Sequence, residues 1–305
     1  MTTVADLFSG MGGFSLAATM AGCKVIWAGN HWPEAVKTHA ANHPGTIHVC
    51  QDLQQQDWYA VPRMDLLLAS WACQGHSRAR GKDQPRHDTA RATAWAFISA
   101  IEACNPDAAI GENVPDFLKW PLYGAWVAAL NALGRSVSVH QSDAADHGVP
   151  QNRERVFIVV TKSKHPLVLT IPKRDHVPAS SFIDFKAGNW SPVNKPGRAE
   201  KTLARIAAGR KAHGSRFLAP FYGSGSGTTG RSLARPIGTI TTRDRWAVID
   251  GDRMRMLTLD ENRAGMGFPV GTILPRTHKL GVHMLGNAVA PLQGCDYITA
   301  LRAAA

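Results

Sequence analysis

From residue 3 to about residue 162 the chain alternates short apolar runs with longer stretches of helical spacing, and this alternation limits the fold more than any other feature. "TVADLF", "KVIWAG", "MDLLLAS", "DAAIGEN", "RSVSVH" and "RVFIVVT" read as strands, while "FSLAATMAG", "PEAVKTHAAN", "ARATAWAFISAIEA" and "GAWVAALNALG" fall between them as helices. Strands separated by helices imply βαβ units, so the pattern predicts an α/β fold with a parallel, doubly wound sheet. In such a sheet ligands sit at the C-terminal ends of the strands.

After "PQNRERVFIVVTKSKHP" the texture turns to proline, glycine, lysine and arginine with few periodic apolar faces, through "GRAEKTLARIAAGRKAHGSRF" and "YGSGSGTTGRS". The expectation is a main domain over residues 1–165, a smaller irregular domain over 166–278, and a C-terminal segment over 279–305. That last segment ends in an amphipathic helix expected to return to the main domain. "GSGTTG" spells G-x-G-x-x-G, but no apolar-periodic helix follows it, and it reads as a loop.

Lys and Arg total 34 against 23 Asp and Glu, a net charge of +11, which favours a phosphate-rich partner. The N-terminal "MTTVADLFSG" lacks a basic and apolar leader, and no apolar run has membrane-spanning length, so no membrane partner is expected. The five cysteines are odd in number with no C-x-x-C spacing, which argues against a disulfide framework or zinc ribbon and leaves a thiol for chemistry. "HPGTIHVC" clusters His43, His48 and Cys50, but strand alternation and the lack of a matching fourth ligand favour no metal.

Three stretches carry candidate chemistry. "ADLFSGMGGFSLA" is a strand, a glycine turn (Gly10, Gly12, Gly13) and a helix, so that backbone N–H groups and a helix N-terminus face a carboxylate-bearing or anionic ligand. Cys73 follows "MDLLLAS" at the end of a central strand, with His76, Arg78, Arg80 and Lys82 nearby to favour a thiolate. As a lone cysteine it reads equally as a small buried hydrophobe. "AIGENVPDF" ends a strand with Glu112, either a cap or a general acid. "QNRERVF" sets Arg153 and Arg155 two apart, on one face of an extended segment.

Taken in order, "DLFSGMGG", "ACQG", "ENV", "QNRER" and "GNAVAP" resemble the motif blocks of the C5 DNA cytosine methyltransferases. The cysteine loop "CQGHSRARG" is similar to that of a branch with C-x-x-H-S-x-A-x-G. The resemblance implies a Rossmann-like fold that binds S-adenosylmethionine, with the recognition region in the irregular stretch. It implies that Cys73 attacks C6 of a flipped-out cytosine, that Glu112 holds N3 and the exocyclic amine, and that Arg155 holds O2 with Arg153 supporting the loop. For the cofactor it implies Phe8, Ser9, Gly10, Gly12 and Gly13 in the loop, and Asp52 with Leu53 near the adenine amine. Asn287 and Ala288 stand in the C-terminal block, and Trp32 offers an aromatic face.

Two positions depart from the family. Ala72 stands where proline usually precedes the nucleophile, and Asn30 or His31 stands where a glutamate usually meets the ribose. For DNA, the resemblance and the charge together point to Gln74, Ser77, Arg78, Arg80 and Lys82 after the nucleophile. In the smaller domain Lys201, Arg205, Arg210, Lys211, Arg216, Arg231 and Arg243 are candidates for phosphate or base-edge contacts.

The resulting expectation is a monomeric cytoplasmic enzyme of a prokaryotic cell or phage-infected host, methylating duplex DNA. A restriction-modification, phage or solitary setting depends on neighbouring genes. A transfer-RNA substrate and a DNA-binding protein with a weakened catalytic site remain alternatives.

Overall fold

The computed structural model describes residues 1–73, 85–221 and 229–304, with residues 85–89 by backbone alone. The chain divides into two compact units: Met1–Asp143, Glu154–Lys173 and Ala288–Ala305 form the first, Ala144–Arg153 and Arg174–Asn287 the second.

The first unit is built on seven strands: β1 (Thr3–Leu7), β2 (Lys24–Asn30), β3 (Ile47–Cys50), β4 (Leu66–Ala69), β5 (Ala108–Asn113), β6 (Ser136–Asp143) and β7 (Glu154–Thr161). Their order across the sheet is β3-β2-β1-β4-β5-β7-β6. Helices α1 (Gly13–Met20), α2 (Pro33–Asn42), α3 (Pro85–Cys104) and α4 (Tyr123–Ala132) connect them, and α8 (Pro291–Ala304) closes the unit.

The apolar strand runs are explained by burial on both faces. Leu66 and Leu68 pack into the core that holds Phe14 of α1 with Tyr297 and Ile298 of α8, while Leu67 and Ala69 pack into the one that holds Phe97 of α3 and Trp126 of α4. The return of the C-terminal helix follows from this: Gly294 of α8 lies against Ala17 and Phe14 of α1, with no room for a larger residue.

The sheet is mixed rather than wholly parallel, because β7 pairs antiparallel with both β5 and β6. Residues 144–153 alone join β6 to β7, fewer than the dozen or so residues that a parallel crossover needs. On β1 the chain reverses direction across the sheet, since β2 and β4 flank it, and this switch point is where a doubly wound sheet opens a crevice for ligands.

The second unit has more order than its sequence texture predicts. A four-stranded antiparallel sheet runs β8-β11-β10-β9, with β8 (Ser191–Pro192), β9 (Arg216–Pro220), β10 (Trp246–Asp250) and β11 (Arg253–Met256). Helices α5 (Glu200–His213), α6 (Leu259–Gly265) and α7 (His278–Asn287) complete it. Its core gathers Val193, Ile206, Phe217, Ala219, Ala247, Ile249 and Met254. The strands are two to five residues long, so their alternation is too short to stand out in sequence. No helix follows Gly230 until α6.

Candidate active site

The turn after β1 departs from ordinary backbone at three positions. Phe8 has φ 56°, Gly10 φ 56° and Gly12 φ 98°. A non-glycine residue in the left-handed region costs about 1 kcal/mol or more and persists where its surroundings over-determine it. Gly12 is the N-cap of α1, so the helix starts where the turn ends. Ser9 N–H bonds the Gly29 carbonyl on β2 at 3.2 Å, and Gly12 N–H bonds the Ser9 carbonyl at 2.9 Å.

At the end of β2, buried Asn30 accepts the Trp32 N–H through Oδ1 at 2.9 Å, which turns the chain into α2. His31 is exposed and Trp32 half-buried. Asp52, exposed, accepts the Gln54 N–H at 3.0 Å, and Leu53 behind it is buried. Asn287 ends α7 in the second unit, and Ala288 begins the segment returning to the first. Asn30, Trp32, Asp52 and Leu53 of the first unit are neutral or acidic, which suits a ligand that carries both a carboxylate for the helix N-terminus and a cationic centre.

Beneath the glycine turn lies a buried polar chain that the sequence reading did not single out. Ser15 Oγ on α1 donates to Asp6 Oδ2 on β1 at 2.7 Å. His39 Nε2 on α2 meets Ser15 Oγ at 2.9 Å, and His39 Nδ1 meets His48 Nε2 on β3 at 2.8 Å. Burial pushes the Asp6 carboxyl up to about 7 despite bonds from both the hydroxyl and the backbone N–H of Ser15. Burial, with the neighbouring imidazoles of His43 and His48 next in weight, lowers His39 to about 2. Of the two histidines weighed as possible ligands, His48 ends this chain, and His43 lies against His39 with ring centroids 4.6 Å apart. The visible signal was an aspartate inside an otherwise apolar strand, "TVADLF".

The segment that follows β4 is pinned at successive residues. Ser70 N–H bonds the Leu7 carbonyl at 3.2 Å. Trp71 is buried among Phe97, Phe117 and Trp126, at centroid distances of 5.3, 5.1 and 5.5 Å. Its carbonyl accepts Asn113 Nδ2 at 3.1 Å. Ala72 N–H donates to Thr93 Oγ1 of α3 at 3.3 Å. Cys73, half-buried, is the next residue.

Glu112 lies one strand away. Ala69 of β4 pairs with Gly111 of β5, so Glu112, next in β5, lies at the C-terminal end of the parallel pair from which the chain leaves β4 toward Cys73. Phe157 of β7 pairs with Glu112, and Arg155, two residues earlier, shares its face. The diagonal pair closes as an ion pair, Arg155 Nε to Glu112 Oε1 at 2.9 Å, with side chains 13% and 8% exposed. Arg153 is not on that face. It precedes β7, belongs to the second unit and is buried there, donating to the Ile240 carbonyl at 3.2 Å and the Gly286 carbonyl at 3.0 Å.

Gln74, Ser77, Arg78, Arg80 and Lys82, together with His76, lie outside the described residues. In the second unit Arg216 is exposed, pairs with Asp250 at 2.7 Å and lies 4.5 Å over the Phe185 ring. Arg231 bonds Asn152, Arg210 bonds Gly251 and Asp252, and Arg205 lies over Phe221. Arg243, Lys201 and Lys211 are exposed.

A family model for C-5 cytosine-specific DNA methylases matches residues 2–215. The Type II methyltransferase M.MthTI of Methanothermobacter thermautotrophicus is 30% identical over 56% of this chain and 52% of its own length. M.NlaX of Neisseria lactamica is 32% identical over 52% of each. The chain therefore spans about half the length of these relatives. M.MspI of Moraxella sp. is 25% identical over 93% of this chain and 66% of its own. Among solved structures, a protein encoded within an E. coli prophage and assigned as a DNA modification methyltransferase superposes with TM-score 0.73 at 21% identity, covering 100% of this chain and 99% of that one. Dnmt2 of S. pombe superposes at 0.70 with 16% identity, covering 98% and 97%. These two likenesses show a shared fold.

Proposed function

Because the chain belongs to the C-5 cytosine-specific DNA methylase family, we propose that it methylates C5 of a cytosine extruded from duplex DNA, with Cys73 as nucleophile and S-adenosylmethionine as methyl donor. The observation that carries this reading is the Glu112–Arg155 ion pair at 2.9 Å, formed at the C-terminal end of the strand pair from which the chain leaves β4 toward Cys73.

Attack of the Cys73 sulfur on C6 of the ring pushes negative charge onto N3 and O2. These are neighbouring acceptors on one edge of the base, and a carboxyl and a guanidinium already held side by side meet both at once. Glu112 accepts from the exocyclic amine and, on taking up a proton as the base enters, donates it to N3, while Arg155 turns from the carboxylate to O2, so charge develops against fixed groups rather than water. The thiolate leaves again once the C5 proton is lost. Extrusion of the base costs a few kcal/mol and gives the thiol face-on access that stacking denies.

The turn after β1 supports S-adenosylmethionine as the cofactor. Phe8, Ser9, Gly10, Gly12 and Gly13 form the turn that brings the α1 N-terminus to the cofactor's carboxylate end, Asp52 and Leu53 stand for the adenine, and Asn30, His31 and Trp32 for the ribose and base face. Asn287 and Ala288 complete the set that the family blocks imply. Once bound, S-adenosylmethionine supplies an electrophilic methyl group. On the DNA side, Arg216, Arg231 and Arg243 of the second unit, with Gln74, Ser77, Arg78, Arg80 and Lys82, contact the duplex, and Arg153 holds the connection before β7.

Incubation with methyl-labelled S-adenosylmethionine and a mixed-sequence duplex is expected to place label in 5-methylcytosine, and a Cys73→Ser chain to place none. Label on adenine, or transfer to tRNA in preference to duplex DNA, overturns the reading.

A further inference from the structure

Ser15, His39 and His48 have no part in the chemistry above, yet they form a continuous chain of hydrogen bonds directly under the glycine turn. The turn begins just after Asp6 and ends at Gly12, three residues before Ser15. The Ser15–Asp6 bond of 2.7 Å therefore ties together the two chain segments that bracket it. Ser15 in turn is held by His39 at 2.9 Å and His39 by His48 at 2.8 Å. Asp6, Ser15 and His39 are all fully buried.

The donor sense follows from counting protons. With Asp6 ionised, Ser15 gives it its one hydroxyl proton, so the Ser15 oxygen accepts from His39 Nε2–H. A neutral His39 then turns Nδ1 as acceptor toward His48 Nε2, and a His48 that also donates to the Thr46 backbone must carry both ring protons to complete the chain in this sense. The imidazoles also form the floor of the turn. A Cβ added at Gly12 would sit 2.7 Å from His43 Nε2 and 3.2 Å from His39 Cδ2.

We infer that Ser15 and His39 are positioning residues for cofactor binding: Ser15 staples the two ends of the Phe8–Gly12 turn through Asp6, and His39 fixes the staple while packing beneath Gly12. A turn with left-handed backbone at Phe8, Gly10 and Gly12 relaxes unless its surroundings hold it. Stapling holds it in the absence of ligand, so that ordering of the turn is not subtracted from cofactor affinity. The inference rests on the proposed reading of this turn as the cofactor cradle.

The test compares S-adenosylmethionine titrations and steady-state methylation across variants of the full chain. Ser15→Ala removes the hydroxyl bond, leaves the Ser15 N–H bond to Asp6, and is expected to raise the cofactor Kd and KM about fivefold, with kcat at saturating cofactor and duplex affinity unchanged. His39→Gln retains an N–H able to reach Ser15 and is expected to bind within about twofold of wild type, by the same reckoning. His39→Asn keeps a polar group nearer the backbone, on the His48 side, and is expected to behave like Ser15→Ala. Circular dichroism establishes that each variant is folded, and if a His39 variant is not, Ser15→Ala alone decides. Equal affinities for folded Ser15→Ala and wild type overturn the inference, as do equal losses in His39→Gln and His39→Asn, the mark of a merely structural role. A wild-type chain that takes up no S-adenosylmethionine overturns the cradle reading itself, a result distinct from either.

Discussion

The backbone N–H of Ala72 sits one residue before the proposed nucleophile, and the chain gives it a partner. Thr93 Oγ1 donates to its own helix at the Ala90 carbonyl, 2.6 Å away, and so turns its oxygen lone pairs toward Ala72 at 3.3 Å. With Asn113 holding the Trp71 carbonyl from the other side, the peptide that leads into Cys73 is fixed at both its donor and its acceptor. Thr93→Val keeps the shape of the side chain and removes the acceptor. An unmade bond of this kind is worth about 1 kcal/mol, so kcat for methylation is expected to fall about fivefold with cofactor affinity unchanged, while Thr93→Ser retains activity. Steady-state kinetics of the three chains check it, and an unchanged kcat in Thr93→Val would mean that Trp71 packing alone sets the position of Cys73.

At the scale of elements, Glu261 joins three parts of the second unit. Its carboxylate takes Thr258 N–H at 2.8 Å and completes a capping box at the start of α6. It also holds both nitrogens of Arg255 on β11 at 2.7 Å and the Asp184 N–H at 2.9 Å. The Arg255 and Glu261 side chains are only 1% and 3% exposed. Glu261→Ala leaves a buried guanidinium unpaired and is expected to destabilise by about 3–5 kcal/mol, whereas Thr258→Ala loses a cap worth about 1 kcal/mol; urea denaturation distinguishes them. Sequence spacing conveyed the parts of this molecule that depend on periodicity. The strands and crossover helices of the first unit, the glycine turn at the end of β1 and the placement of Cys73 and Glu112 after β4 and within β5 are all local patterns. What it conveyed poorly depends on pairing between distant segments. The direction of β7 is decided by the length of the link before it, and the separation of Arg153 from Arg155 by where extended structure begins. The polar chain from Asp6 to His48 spans four elements and has no spacing to read, and the sheet of the second unit is made of strands too short to alternate visibly.

At the scale of the whole molecule, the same buried chain governs how stability responds to acid. His39 is lowered by burial from 6.5 to about 2, so below pH 6.5 the unfolded chain holds a proton there that the folded chain does not, and stability falls with pH. Asp6 is raised by burial from 3.8 to about 7, so between those values the folded chain holds a proton that the unfolded one lacks, and stability rises as pH falls. Between pH 6.5 and 3.8 the two effects are equal and opposite. Folding there moves a proton from histidine to carboxyl and leaves the total unchanged. The hydrogen bonds survive the move, because with Asp6 protonated each donor reverses, from Asp6 to Ser15, Ser15 to His39 and His39 to His48. Among the described residues, the acid sensitivity of the wild type is then carried by His43, His48, His140 and His283, each lowered chiefly by burial, and, as carboxylates titrate, by Asp65 and Asp250, each lowered chiefly by hydrogen bonds. Asp6→Asn keeps the shape and removes the compensating proton, which exposes the His39 slope of about 1.4 kcal/mol per pH unit. Urea denaturation at pH 6.5 and pH 5 is therefore expected to show the Asn variant losing about 2 kcal/mol more than wild type over that interval. Parallel loss in both chains would mean that Asp6 and His39 do not share one proton account, and the reversible chain beneath the glycine turn would have to be abandoned.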